Sequence, residues 1–559
     1  MVAAVMVSGI ATVASAQPVR TWGGETTPPQ TSSPAPSAAP SAVLLPPAPP
    51  PPPATIGTPV DGPALPPRLS LPTMAPPALL GRPPSDGFED DGGPSGVVRA
   101  PGKVGLRYLL EGVEVRGNTS TLARVVLRYV PFQAGDTLDV DDKELELTRF
   151  RLLGTGFFKN VGLSLRRGSR RGSAVLVVNV VERNTIVLNG LWLGLATDAD
   201  PSGNTRPLTA YGGLDVAETN LAGTGITLGG AVAVADNQLG LRARFADPEF
   251  FRSKWTVEAQ VLYNSALDFF GNKNVLVSDP TQLVAQDYAI VSYRRFGGLI
   301  GAGHDLGVST QVYLDYRLEN IDATVPLAAS DYRGLDVAPI NFYIHPGSSI
   351  LSSLRATLVH DTRDDPVLPT KGNYFLLEGD VSLTPLGSDY PFAKLVAHAS
   401  HWMALPWGGH VLRLDGFAGV LVGDAPMFEM FYVGDLSDLL PDRVLDLAFD
   451  RRAAPNFFGT DVVLTRYGSL AAKVDAEYRI PVYRGRRSIY GIDLFGSAGI
   501  YGLCNQEDLT DPARGYSGLA TLPIDFTFNL GLKIDTSAGG FSFGISNFLG
   551  FIPVRGGSQ

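Results

Sequence analysis

Between Asp525 and Asp535 the chain changes character at every step: Phe526, Phe528, Leu530, Leu532 and Ile534 alternate with Asp525, Thr527, Asn529, Lys533 and Asp535. A side-chain period of two belongs to a strand with one apolar and one wet face. The same split recurs where Trp255, Val257, Ala259, Val261 and Tyr263 oppose Thr256, Glu258, Gln260 and Asn264, and where Val474, Ala476, Tyr478 and Ile480 oppose Lys473, Asp475, Glu477 and Arg479. A water-soluble sandwich produces this alternation too, so three further features decide. The strands run about 9 to 12 residues, the length a tilted strand needs to cross a bilayer. The polar faces carry charges of both signs, among them Arg242, Arg244, Arg413, Asp415, Lys473 and Glu477, which suits a wet lumen. Short turns also alternate with long polar loops, at 201–206, 320–349 and 424–465. The expected fold is an all-β transmembrane barrel of about sixteen antiparallel strands, of which fourteen or fifteen are identifiable.

Composition narrows the rest. Of 559 residues, 63 are Gly and only 18% are charged, which favours strands and turns over long helices. A net charge of −10 argues against a nucleic-acid partner. Cys504 stands alone, so neither an intramolecular disulfide nor a thiolate metal cluster can form. Residues 1–16 read as a signal peptide, with an apolar run followed by Ala14-Ser15-Ala16. The usual basic start is absent, so an upstream start and a plain hydrophobic tail both stay open. No other run approaches the roughly 18 apolar residues of a membrane helix. Residues 17–102 are rich in Pro, Ala and Ser, including an unbroken proline run at 49–53, and read as a disordered linker with polyproline II stretches.

Residues 103–184 differ again. A strand over 109–116 ends at Gly117-Asn118, helices follow over 121–129 and 139–153, and Gly154-x-Gly156 stops the second. Strands over 158–165 and 174–182 flank a basic turn at 166–171. The order is strand, helix, helix, strand, strand.

That order, with Val113-x-Val115-x-Gly117-Asn118 and Gly154-x-Gly156-Phe157-Phe158-x-x-Val161, resembles one POTRA domain (βααββ) of the BamA/TamA family. The barrel region, 185–559, resembles the same family at four motifs in the family's order. These are Glu218-x-Asn220-Leu221-x-Gly223-x-Gly225, Phe245-x-Asp247-Pro248-x-Phe250, the turn from Asp361 through Arg363, Asp364, Pro366 and Pro369 to Gly372, and Glu477-x-Arg479-x-Pro481. The favoured reading of the Asp361 to Gly372 turn is structural, Asp and Arg capping backbone groups while Pro and Gly fix dihedrals. The resemblance implies a barrel in the cell outer membrane, with the POTRA domain and linker in the periplasm. It implies insertion or translocation of unfolded outer-membrane or secreted polypeptides, with outer-membrane lipids and periplasmic accessory proteins as further partners. It implies no cofactor, metal or nucleic acid.

Three departures from the family pattern stand out. The sixth-loop Arg-Gly pair is replaced by Asp442-Arg443-Val444-Leu445, and its acidic partner position is Ser497. Arg443 either enters the lumen to meet Asp475 or Glu477, or stays a solvated loop arginine. The chain also runs past its last aromatic, Phe551, rather than ending on one. No hydrolase, zinc-protease or nucleotide-loop motif occurs, so an enzyme is not expected. His398 and His401 fall on opposite strand faces, which disfavours a shared metal site. A second reading is a passive outer-membrane pore or structural anchor with a periplasmic docking domain.

Overall fold

A computed structural model describes residues 107–199, 205–270, 275–278, 283–286, 288–333, 335–436, 443–445, 447–448, 457–485, 488–511 and 513–546. The signal peptide and linker expected over 1–102 lie outside these residues.

The first folded unit comprises β1 (Arg107–Arg116), α1 (Ala123–Arg128), β2 (Thr137–Asp139), α2 (Lys143–Gly154), β3 (Phe158–Arg167) and β4 (Ser173–Glu182). Its sheet runs β2-β1-β4-β3, with β1 parallel to β4 and the other pairs antiparallel. The second helix starts later than the sequence suggests. Residues 137–139 pair with β1, and Asp142 caps the helix by accepting from the Glu144 N–H at 3.0 Å. The order is therefore βαβαββ rather than βααββ. Phe150 and Leu152 of α2 and Val125 and Val126 of α1 are buried, and the core of the unit joins Leu152 and both valines to Leu110, Leu138, Phe158 and Val178. Gly156, with φ +74, ends the helix in a conformation that costs glycine little.

Fifteen antiparallel strands follow, each paired with the next. They are β5 (Ile186–Ala199), β6 (Thr205–Glu218), β7 (Thr227–Ala235), β8 (Gln238–Asp247), β9 (Trp255–Phe270), β10 (Ala289–Asp305), β11 (Thr310–Thr324) and β12 (Gly347–Asp361). Then come β13 (Gly372–Ser382), β14 (Phe392–Ala404), β15 (Val411–Gly423), β16 (Leu470–Arg484), β17 (Ile489–Cys504), β18 (Ile524–Thr536) and β19 (Gly539–Ser546). The sheet curls until β19 meets β5, giving a nearly closed barrel; residues beyond 546 are outside the described set.

The alternation read in the sequence sorts the two faces. Along β16 Lys473, Asp475, Glu477 and Arg479 are buried toward the lumen, while Val474 is 71% exposed on the outer wall. Thr256, Glu258, Gln260 and Asn264 turn inward on β9, as do Asp525, Thr527, Asn529 and Asp535 on β18. An apolar outer wall over a charged interior is what lipid outside and water inside require.

The ends differ. Short turns between even-numbered strands and the next face the βαβαββ unit. The other end carries longer loops, including a four-stranded sheet from 275–278, 283–286, 329–333 and 336–339. The connection after β15 is not the polar loop expected. Its first residues, Met427, Phe428, Met430, Phe431 and Tyr432, are buried in one cluster with the lumen-facing Tyr293, Ile321 and Leu351, so the loop folds back into the barrel. The burial of apolar side chains drives it there. The strands also run further than the sequence suggests, to Thr324 and from Gly347, which shortens the 320–349 loop.

Candidate functional site: barrel mouth, lumen and seam

The turn motifs gather at the barrel mouth, against the βαβαββ unit. In the turn after β6, Glu218 accepts from the Asn220 N–H at 2.8 Å, and the Asn220 carboxamide holds the Gly225 N–H at 2.7 Å. The same carboxamide donates to the Thr121 hydroxyl at 2.8 Å, and the Leu122 N–H donates to the Gly223 carbonyl at 2.9 Å. Gly223 has φ +75, and a Cβ on it would collide with the Ser120 carbonyl oxygen. A Cβ on Gly225 would sit 3.0 Å from Val125 and 3.5 Å from Pro248. In the next turn Asp247 accepts from the Glu249 N–H at 2.9 Å, and Glu249 faces Arg124 at 3.6 Å.

The Asp361 to Gly372 turn is built the same way. Asp361 grips Arg363 at 2.6 Å, and the guanidinium lies over the rings of Tyr374 and Trp402. Asp364 accepts from the Thr370 N–H at 2.8 Å and the Lys371 N–H at 3.1 Å, around Pro366 and Pro369. A Cβ on Gly372, at φ +111, would strike the Thr362 carbonyl. Arg479 of the fourth motif donates to the Pro369 carbonyl, so two motifs meet. From this turn Lys371 reaches Glu146 of α2 at 2.6 Å.

Further pairs seat the unit. Asp305 receives Arg128 at 3.1 Å and Arg151 at 3.5 Å, and Arg183 meets Asp535 at 3.0 Å. Within the unit, Glu182 gathers the Thr119 hydroxyl and the Ser120 and Thr121 N–H groups. Burial opposes its ionisation, but those hydrogen bonds outweigh burial and hold the carboxyl at about 2.

The lumen is lined with paired charges. Asp215 takes Arg242 at 2.7 Å and Arg244 at 2.5 Å, and Asp415 takes His398 at 2.9 Å. His401 instead bonds Asn373 at 2.6 Å. Asp475 meets Lys473 at 3.2 Å and Arg413 at 3.3 Å, while Glu477 meets Lys533 at 2.6 Å and Arg479 at 3.6 Å. Glu477 lies directly across from Ser497, so a carboxylate stands one strand away from the position the family makes acidic. The side chain of Arg443 is outside the described residues. Its backbone forms a two-residue ladder with 447–448, and the Leu445 carbonyl accepts from the Asn264 carboxamide at 2.7 Å.

Sequence reasoning missed the charges that meet the inward loop. Glu429 is 1% exposed and takes Arg317 at 2.8 Å, with Lys394 at 3.7 Å from its carboxylate and 2.7 Å from its carbonyl. Beside it the Arg295 guanidinium lies 3.7 Å over the Phe428 ring, and Arg295 and Arg317 share Glu319. The period of two on β10 and β11 marks Arg295, Arg317 and Glu319 as inward. A loop residue such as Glu429 carries no such signal.

The seam between β5 and β19 is thin. The Leu188 N–H donates to the Ala538 carbonyl at 2.8 Å, and the Asn184 carboxamide donates to the Ser537 carbonyl at 3.1 Å. No ladder joins the two strands among the described residues, whereas β19 pairs with β18 from Asn529 to Thr536. Gly539 lies so near Leu188 that a Cβ on it would sit 2.7 Å from that carbonyl oxygen.

Residues 220–439 match the Omp85 superfamily domain. The chain is 25% identical over 350 residues to the outer membrane protein assembly factor BamA of Nitratidesulfovibrio vulgaris, a match covering 61% of this chain and 38% of that relative. It thus spans well under half of the relative's length. Among solved structures it is similar to BamA from Haemophilus ducreyi lacking POTRA domains 1-3, with TM-score 0.42 and 14% identity over 78% of this chain and 80% of that one. It is similar also to CdiB from Escherichia coli, with TM-score 0.48 and 11% identity over 79% and 73%.

Proposed function

From a chain whose residues 220–439 match the Omp85 superfamily domain, we propose an outer-membrane factor of the BamA/TamA type that inserts or translocates other polypeptides. The observation that carries this reading is the seam. Among the described residues one backbone hydrogen bond ties β5 to the turn that leads into β19, and a barrel wall so lightly closed exposes unpaired N–H and C=O groups, each expensive in lipid. An incoming client strand that pairs there removes that cost. Capture has a matching feature in the first unit, which serves as a periplasmic POTRA domain over 103–184: among the described residues β3 has a strand neighbour on one side only, which leaves its outer edge for strand addition. No nucleotide is needed, because folding of the client in the membrane is downhill.

The passive-pore alternative fits less well, since the 424–469 connection packs apolar side chains into the lumen. Comparing the outer-membrane and secreted proteomes with and without this protein tests the proposal. Depletion should lower the level of other barrels or secreted polypeptides; an unchanged proteome with a steady open conductance in planar bilayers supports the pore.

A further inference from the structure

We propose that Glu429 is the positioning residue that holds the start of the connection after β15, residues 424–436, inside the barrel. The inference concerns the plug alone, and its readout is independent of client handling.

All three residues of one short 3₁₀ turn, Met427–Glu429, are anchored. The Glu429 carboxylate takes Arg317 at 2.8 Å, and Lys394 binds both its carbonyl, at 2.7 Å, and its carboxylate, at 3.7 Å. One residue earlier, Phe428 is 2% exposed, stacked 5.8 Å from the Tyr293 ring and covered by Arg295 at 3.7 Å. The backbone is tied as well, the Met427 N–H donating to the Tyr343 carbonyl at 2.7 Å. The anchor thus draws on β10, β11, β14 and the 325–346 loop together.

Charge-assisted bonds in a water-poor interior hold position better than neutral ones. A carboxylate on the loop facing cations on the wall also ties the loop to one depth, because Arg317 and Lys394 are fixed on strands. At this turn the pairing is acid on loop and base on wall; further along the connection, where Arg466 faces Asp268 of β9 at 3.8 Å, it runs the other way.

The test is planar-bilayer conductance of the purified full-length barrel, with heat-modifiable gel mobility confirming folding. Glu429→Gln should raise the open population roughly 10-fold or more, the weight of one hydrogen bond to a charged group. Glu429→Asp should recover most of the closure. Lys394→Met, which removes the carboxylate's second partner, should open the lumen in the same direction and carries the test if Glu429→Gln does not fold. Closed behaviour in both Glu429→Gln and Lys394→Met overturns the proposal.

Discussion

Arg128 of α1 and Asp305 at the end of β10 stand 3.1 Å apart, with the Arg128 side chain 3% exposed, so the βαβαββ unit and the barrel share a buried ion pair. Arg151 joins at 3.5 Å and Gln311 at 2.7 Å, making Asp305 a socket for the unit. Asp305→Asn strands two guanidinium groups in a dry interface. Breaking a buried pair by removing one partner costs about 3–5 kcal/mol. The expected outcome is a unit that docks poorly, read as faster proteolysis near residues 183–186 while the barrel keeps its heat-modifiable mobility.

Gly223 tests the same interface by shape. Gly223→Ala meets both a positive φ and the Ser120 carbonyl, so the turn or the neighbouring segment must shift. A loss on the order of 1–3 kcal/mol is expected from the strained backbone alone. Gly154→Ala is the control: nothing lies within 4 Å and the residue ends a helix, so stability should hold or rise slightly. Thermal melts of the two variants should move in different directions.

Acid should loosen the segment at 119–121. The folded-state pKa of Glu182, about 2, lies below the ordinary carboxyl value of 4.5. A depressed carboxylate contributes stability that is complete above the unfolded pKa and is lost as pH falls through the folded one. Amide exchange at Ser120 and Thr121 should therefore accelerate between about pH 4.5 and 2, and Glu182→Gln should remove that dependence.

The outer wall has its own test. Val474, the fifth of the 15 residues of β16, is 71% exposed and points away from Lys473 and Asp475. Val474→Arg should cost about 2–4 kcal/mol in folding into liposomes, the depth-dependent price of a cation against lipid. An arginine tolerated there without loss would mean that this face does not meet hydrocarbon.

Much of this architecture was legible from alternation alone. Period two placed Lys473, Asp475, Glu477 and Arg479 on one face because a strand offers no third direction. The turn motifs were visible too, since Gly223 and Gly372 occupy conformations that glycine adopts most easily. Two elements escaped. The strand at 137–139 is three residues long and exists because β1 offers it an edge, so its cause is tertiary. Glu429 sits in a loop whose path is set by the apolar cluster it joins, and a local window of sequence carries no trace of that cluster. What the turn motifs do could not be read locally either: Asn220 and Gly223 shape a turn, but their partners Thr121 and Ser120 lie about a hundred residues earlier.

Locking the seam tests the central claim most directly. With Cys504→Ser removing the native thiol, Leu188→Cys and Ala538→Cys bracket the 2.8 Å backbone hydrogen bond that joins β5 to the turn leading into β19. Oxidised protein should fold and reach the membrane yet fail to assemble or release clients, and reductant should restore both. Full client assembly by the oxidised, cross-linked barrel would contradict the account.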